Sequence, residues 1–100
     1  MKFIVGKSNT GKTKELIEYS LSSNIPIFAL HNGKANSLRA KAFSYFNKVV
    51  QVVTPDDLIY GDYRGEILVD DLEKAFSMLL AEYLKTDDFE VVGATVTEED

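Results

Sequence analysis

Eight consecutive residues, Gly6-Lys7-Ser8-Asn9-Thr10-Gly11-Lys12-Thr13, satisfy the pattern G-x-x-x-x-G-K-[ST] at every fixed position. The chemistry these types and spacings can do is to grip a chain of phosphates. Gly6 permits a sharp exit from a strand, and Gly11 lets backbone approach an anion with no Cβ in the way. Successive main-chain N–H groups then converge on phosphate oxygens, helped by the positive end of a following helix. In such a loop the Lys12 ammonium reaches the β- and γ-phosphates and the Thr13 hydroxyl ligates Mg²⁺. A glycine-rich turn before a basic helix start would satisfy the same pattern. What separates the two is context: a strand must lead in and a helix must lead out.

The flanking residues supply that context. Lys2-Phe3-Ile4-Val5 is a short apolar run that reads as a buried strand ending at Gly6, and Leu16, Ile17, Ser20 and Leu21 define one face of a helix from Thr13 to about Ser22. Residues 25–30 are a second strand candidate, with Pro26 near the start where its missing N–H does least harm. His31-Asn32-Gly33 reads as a turn, and Lys34 to Phe46 as a helix with Leu38, Ala42, Phe43 and Phe46 on one side. Residues 49–53 are β-branched apart from Gln51 and read as a strand. Thr54-Pro55-Asp56-Asp57 carries the marks of a helix start: an N-cap, a proline at the first helical position and acids in the first turn. Glu66 to Asp71 is an apolar strand ending in two acids. Leu72, Ala75, Phe76, Leu79, Leu80, Tyr83 and Leu84 then keep helical spacing. Phe89 to Val92 forms a last strand running on through Gly93 to Thr97, before an acidic end expected to fray.

Strands and helices thus alternate, which predicts one α/β domain over residues 1–100 with a mainly parallel five-stranded sheet and helices on both faces. At 100 residues, 45% hydrophobic and 27% charged, the composition is that of an ordinary globular domain. The absence of cysteine excludes disulfide scaffolds, thiolate zinc sites and cysteine nucleophiles, and the single histidine, His31, excludes a His-rich metal site. No apolar run approaches the ~20 residues of a membrane span. The N-terminus turns polar too early for a signal peptide. A cytoplasmic location without membrane attachment is the expectation. Charge is uneven: residues 1–48 hold eight bases and two acids, residues 49–100 three bases and fourteen acids, and the net is −5. A basic N-terminal half suits an anionic ligand or head-to-tail self-association, unless the fold mixes the halves.

The chain resembles a P-loop nucleoside triphosphatase over nearly its whole length, and in particular the small viral or mobile-element members. Residues 2–13 are similar to the family's first strand and Walker A loop, and Ile67-Leu68-Val69-Asp70 to its Walker B strand. The resemblance implies a three-layer fold, ATP as substrate or ligand, and Asp70 holding Mg²⁺ together with Thr13. Both Asp70 and Asp71 also stand where an N-cap for a helix at Leu72 belongs. One branch of the family carries Asp-Glu here, the second acid being catalytic; this chain has Asp-Asp. By resemblance Asp71 positions the attacking water beside Lys12, with a side chain one methylene shorter, which implies slow hydrolysis. In the same branch a strand like 91–95 carries a polar sensor of the γ-phosphate, for which Thr95 is the candidate. Arg39 and Arg64 are the only arginines and the candidates for an arginine finger. Tyr60 and Tyr63 could stack on a base or equally cover the sheet edge.

Asp62-Tyr63-Arg64-Gly65 matches D-x-x-G, but no apolar strand leads into it and no Asn-Lys-x-Asp follows, so nothing selects guanine. The leading expectation is a small Mg²⁺-dependent ATPase or switch in host cytoplasm if viral, working as a homo-oligomer or with a protein partner, in DNA metabolism by resemblance. A small nucleoside or metabolite kinase is the first alternative, disfavoured by two arginines; a non-catalytic nucleotide-binding module is the second. Direct nucleic-acid binding is weakly supported, because the chain is acidic overall and only Lys34, Arg39, Lys41 and Lys48 form a basic stripe.

Overall fold

In a computed structural model that describes residues 2–7, 10–60, 63, 65–78 and 89–98, five strands alternate with four helices. The order is β1 (Lys2–Gly6), α1 (Lys12–Ser23), β2 (Ile27–Phe28), α2 (Asn32–Phe46), β3 (Val52–Val53), α3 (Pro55–Ile59), β4 (Gly65–Val69), α4 (Leu72–Met78) and β5 (Phe89–Thr97). All four strand pairings are parallel, and the sheet order is β1-β5-β4-β2-β3. The last strand is therefore inserted between the strand that feeds the glycine loop and the strand that ends in the two acids.

A parallel sheet puts every strand's carboxyl end on one side, and ligands of open α/β sheets bind there. Register then decides which residues meet. Gly6 is level with Thr97, and Val69 is level with Ala94, which sets Asp70 beside Thr95. The Glu98 N–H donates to the Gly6 carbonyl at 2.8 Å and fastens the end of β5 to the start of the loop.

Alternation along the strands divides the core in two. Ile27, Ala29 and Leu68 join Leu16 and Ile17 of α1 and Ala35, Leu38 and Ala42 of α2 in one cluster. Phe28, Ile67, Val69 and Ala94 form the other, with Leu72 and Ala75 of α4 against them. Successive side chains of a strand point to opposite faces, so the two clusters lie on opposite faces of the sheet. This packing is what fixes α1, α2 and α4 with their N-termini at the carboxyl end of the strands.

Three expectations need correction. Residues 31–33 are not a free turn: α2 begins at Asn32, and the extended His31 caps it by accepting the Lys34 N–H on Nδ1 at 3.1 Å. Phe43 does not join the buried face of α2, being 64% exposed, whereas Ala35 does. Val49 precedes rather than begins β3 and is 79% exposed: Asn47 turns the chain in the left-handed region (φ 53°) at the end of α2, and pairing with the two-residue β2 starts only at Val52. At α3 the expected cap is present in reciprocal form, the Asp57 carboxylate accepting the Thr54 N–H at 2.8 Å. Leu79, Leu80, Tyr83 and Leu84 of the long apolar helical pattern lie outside the described residues.

Candidate functional site

The glycine loop runs from the end of β1 to the start of α1. Gly11 sits at φ 82°, in the left-handed region, and its carbonyl accepts the Glu15 N–H at 3.1 Å, the first bond of the helix. Gly6 is needed for a different reason: a Cβ there would lie 2.9 Å from Thr10 Oγ1. The loop folds back on the Lys7 carbonyl, which accepts the Thr10 hydroxyl at 2.7 Å and the Lys12 ammonium. Lys12 is buried, although it is a lysine in the first turn of a helix. The first-turn N–H groups of α1 have no carbonyl partner within the helix, and Gly11, Lys12, Thr13 and Lys14 all line the adjoining cleft. Ser8 and Asn9 lie outside the described residues.

The acid at the end of β4 meets this loop. Thr13 Oγ1 donates to the Asp70 carboxylate at 3.1 and 3.2 Å across 57 residues of sequence. Thr95, fully buried on β5, donates its hydroxyl to Asp70 Oδ1 at 2.6 Å and accepts the Asp71 N–H at 2.7 Å. Lys34, in the first turn of α2, places its ammonium 2.7 Å from Asp70 Oδ2 and 3.5 Å from Asp71 Oδ2. Burial pushes the Asp70 carboxyl up, but hydrogen bonds from Lys34, Thr95 and Thr13 and the Lys34 charge outweigh it and hold the group below the usual carboxylate range. For Lys34 burial likewise acts against the charge, and the bond and charge of Asp70 win, raising it above an ordinary lysine.

Asp71 differs from its neighbour. Its backbone is left-handed (φ 55°), a conformation aspartate tolerates better than most residues. Its carbonyl accepts the Lys74 and Ala75 N–H groups, so it caps α4 through the main chain while its carboxylate is left for Thr97 and Lys34. Partly exposed, it lines both clefts of this region. The larger, about 490 Å³, is bordered by loop residues 10–14 and by Lys34, Lys41, Tyr45, Glu73 and Lys74. Five lysines against two acids make it cationic, and four of the five come from the basic half of the sequence. The smaller, about 220 Å³, continues past Lys34, Asp71 and Lys74 to Phe28, Leu30 and His31.

Other sequence-derived candidates fall elsewhere. Arg39 is exposed, donates to Asn36 Oδ1 at 3.3 Å and borders neither cleft. Arg64 lies outside the described residues. Tyr63 packs against the second core cluster and donates its hydroxyl to the Glu66 carbonyl at 2.6 Å, and Tyr60 is exposed away from both clefts. Sequence reasoning placed Lys34 and Lys41 in a basic stripe without assigning them to this site, and it did not single out Lys14, Tyr45 or Lys74. For Lys34 a signal existed: a lysine in the first turn of a helix that follows a parallel strand stands at the ligand end of the sheet.

The donor set can be tested against Mg²⁺. Among the described residues no three His, Cys, Asp or Glu side chains converge to hold a metal by themselves. Thr13 and Asp70 offer a hydroxyl and one carboxylate, hard oxygen ligands within 3.2 Å of each other. Mg²⁺ is bound in this way when substrate phosphates and water complete its shell, so the residues fit that ion. No helix among the described residues is long and apolar enough to cross a membrane. No protein-family model, no curated protein and no solved structure matches the chain.

Proposed function

We propose that this chain is a P-loop protein of three layers that binds a Mg²⁺–nucleoside triphosphate, ATP in the first instance, and slowly hydrolyses its terminal anhydride. The observation that carries the reading is the meeting of Thr13 with Asp70 at 3.1 Å, Thr13 itself bordering a cleft with five lysines.

In this reading the amides of residues 11–14 and the Lys12 ammonium, released from the Lys7 carbonyl, bind and orient the phosphates. Thr13 and Asp70 hold Mg²⁺, which when bound neutralises phosphate charge. Thr95 keeps the Asp70 carboxylate turned toward Thr13. Asp71, partly exposed and beside the cleft, orients a water against the γ-phosphorus and accepts its proton as the bond to the departing diphosphate breaks. Catalysis of this kind is mostly positioning and electrostatics, which a small sheet with one acid-lined edge can supply.

Equilibrium titration with ATP and with inorganic triphosphate, each with and without Mg²⁺, tests the reading on wild type and Lys12→Ala. Loss of at least tenfold in affinity for both ligands is expected in the variant. Equal affinities would refute it.

The smaller cavity favours one second reading, phosphoryl transfer to a small hydroxyl-bearing acceptor. It shares Lys34, Asp71 and Lys74 with the phosphate cleft and is partly walled by Phe28 and Leu30. Product analysis decides: free phosphate alone supports hydrolysis, and label retained on a nucleoside or sugar acceptor supports transfer.

A further inference from the structure

Lys34 stands where the proposed chemistry needs a metal ion. The Asp70 side chain is 1% exposed, and each of its oxygens is engaged: Oδ1 by the hydroxyls of Thr95 and Thr13, Oδ2 by the Lys34 ammonium at 2.7 Å and again by Thr13. Among the described residues Lys34 is the cation that pairs with this carboxylate. A buried carboxylate cannot be left without a counter-charge at low cost, so the pair is what lets Asp70 stay ionised before any ligand arrives.

The same pair makes the site a poor receptor for a free divalent ion. Mg²⁺ approaches a carboxylate oxygen to about 2.0–2.1 Å and brings ordered water with it. An ammonium already 2.7 Å from Oδ2 occupies that approach and repels a second cation. Lys34 must therefore move away when Asp70 changes partners. Its side chain is 26% exposed, its second contact with Asp71 is a loose 3.5 Å, and its flexible stem opens on the cleft that Lys12 and Thr13 border. Once Asp70 has taken another cation, Asp71 alone is left beside the displaced ammonium, and a triphosphate in that cleft offers it a more highly charged anion.

We infer that Lys34 is a second triphosphate-binding lysine that serves as the resident counter-ion of Asp70 until metal and nucleotide arrive together. This rests on the phosphate-loop reading and adds regulation to it: free metal binds only weakly, and nucleotide and metal bind with positive coupling. Positive coupling follows because the triphosphate offers Lys34 a new partner, which lowers the cost of surrendering Asp70.

The test uses Mn²⁺ alone as a spectroscopic probe and inorganic triphosphate in saturating Mn²⁺ as the anion. Lys34→Gln removes the charge and keeps a donor for Asp70. Relative to wild type it is expected to bind Mn²⁺ at least about tenfold more tightly and triphosphate at least about fivefold more weakly. Mn²⁺ affinity that is unchanged or weaker would overturn the inference, as would undiminished triphosphate affinity. Lys12→Ala, run in parallel, keeps the failures apart. If it abolishes triphosphate binding while Lys34→Gln alters neither affinity, the loop reading stands and the role of Lys34 falls. If it leaves triphosphate binding intact, the loop reading falls.

Wild-type protein supplies a second measurement that does not depend on the variant folding. Amine-labelling rates read by mass spectrometry should find Lys34 protected in the metal-free protein, more reactive in high Mg²⁺, and protected again when ATP is added. A rate unaffected by these additions would contradict the exchange.

Discussion

The Thr95 hydroxyl donates to Asp70 Oδ1 at 2.6 Å in a fully buried setting. Its oxygen also accepts the Asp71 N–H at 2.7 Å, so one side chain fixes both acids that follow β4. The register makes this possible, because Val69 pairs with Ala94 and the next residue of each strand falls side by side. The hydroxyl proton is committed to Asp70. In the ligand-free protein Thr95 therefore acts on the acids, and any contact with a γ-phosphate would require it to give up that bond.

Thr95→Val keeps the shape and removes both hydrogen bonds, leaving the Asp71 N–H and one Asp70 lone pair without this partner. A loss of about 1–3 kcal/mol in unfolding free energy is expected. Urea denaturation checks it, with Thr95→Ser retaining most of the stability. A valine variant as stable as wild type would show that the hydroxyl is dispensable.

Asp71 is expected to separate binding from turnover. Asp71→Asn suits the left-handed backbone at φ 55° and removes the proton acceptor. Nucleotide affinity should stay within about twofold while single-turnover hydrolysis falls by about tenfold or more. Asp71→Glu adds the missing methylene but is less at ease at positive φ, so about 1 kcal/mol of stability should be lost. Unchanged hydrolysis by the asparagine variant would remove Asp71 from the mechanism.

Gly11→Ala places a side chain at φ 82°, where no neighbouring atom lies within 4 Å of the new Cβ. The cost is thus conformational, about 1–2 kcal/mol. Thermal unfolding should report that loss, and triphosphate binding should weaken because the methyl enters the anion's approach. A variant with unaltered melting temperature would mean that the loop does not hold this conformation.

The Asp70–Lys34 ion pair sets a pH dependence in the metal-free protein. Asp70 is held below its unfolded value, so its contribution is present above about pH 4 and is lost as pH falls through the folded value. Lys34 is raised, so its contribution is present below about pH 10 and is lost as pH rises through the folded value. Stability measured by urea unfolding should fall with acid below about pH 4 in wild type, and less steeply in Asp70→Asn. Equal slopes would show that Asp70 carries no linked proton.

Much of this architecture was legible in the sequence because its signals are local. The strand ending at Gly6, the glycine spacing and the acids closing Glu66–Asp71 all lie within short windows, and the structure brings Thr13 and Asp70 within 3.1 Å of each other. Strand order was not legible. Nothing in residues 89–97 says that β5 inserts between β1 and β4, yet that insertion is what puts Thr95 against Asp70. For Lys34 the sequence signals only a lysine in the first turn of a helix; its partner was not legible, because strand order decides that β4 pairs with β2 and so that Asp70 meets Lys34. His31 reads from the sequence as a turn residue, and its capping role was not legible because an imidazole nitrogen is an unusual N-cap acceptor.

The central claim is that main-chain amides at the start of α1, opened by Gly6 and Gly11, bind a triphosphate. Its most direct test is a crystal structure with Mg²⁺ and a non-hydrolysable ATP analogue. The account requires the β-phosphate within hydrogen-bonding distance of the amides of residues 11–13, with the Lys12 ammonium moved from the Lys7 carbonyl onto phosphate. A nucleotide seated elsewhere, with Lys12 still bonded to Lys7, would contradict it.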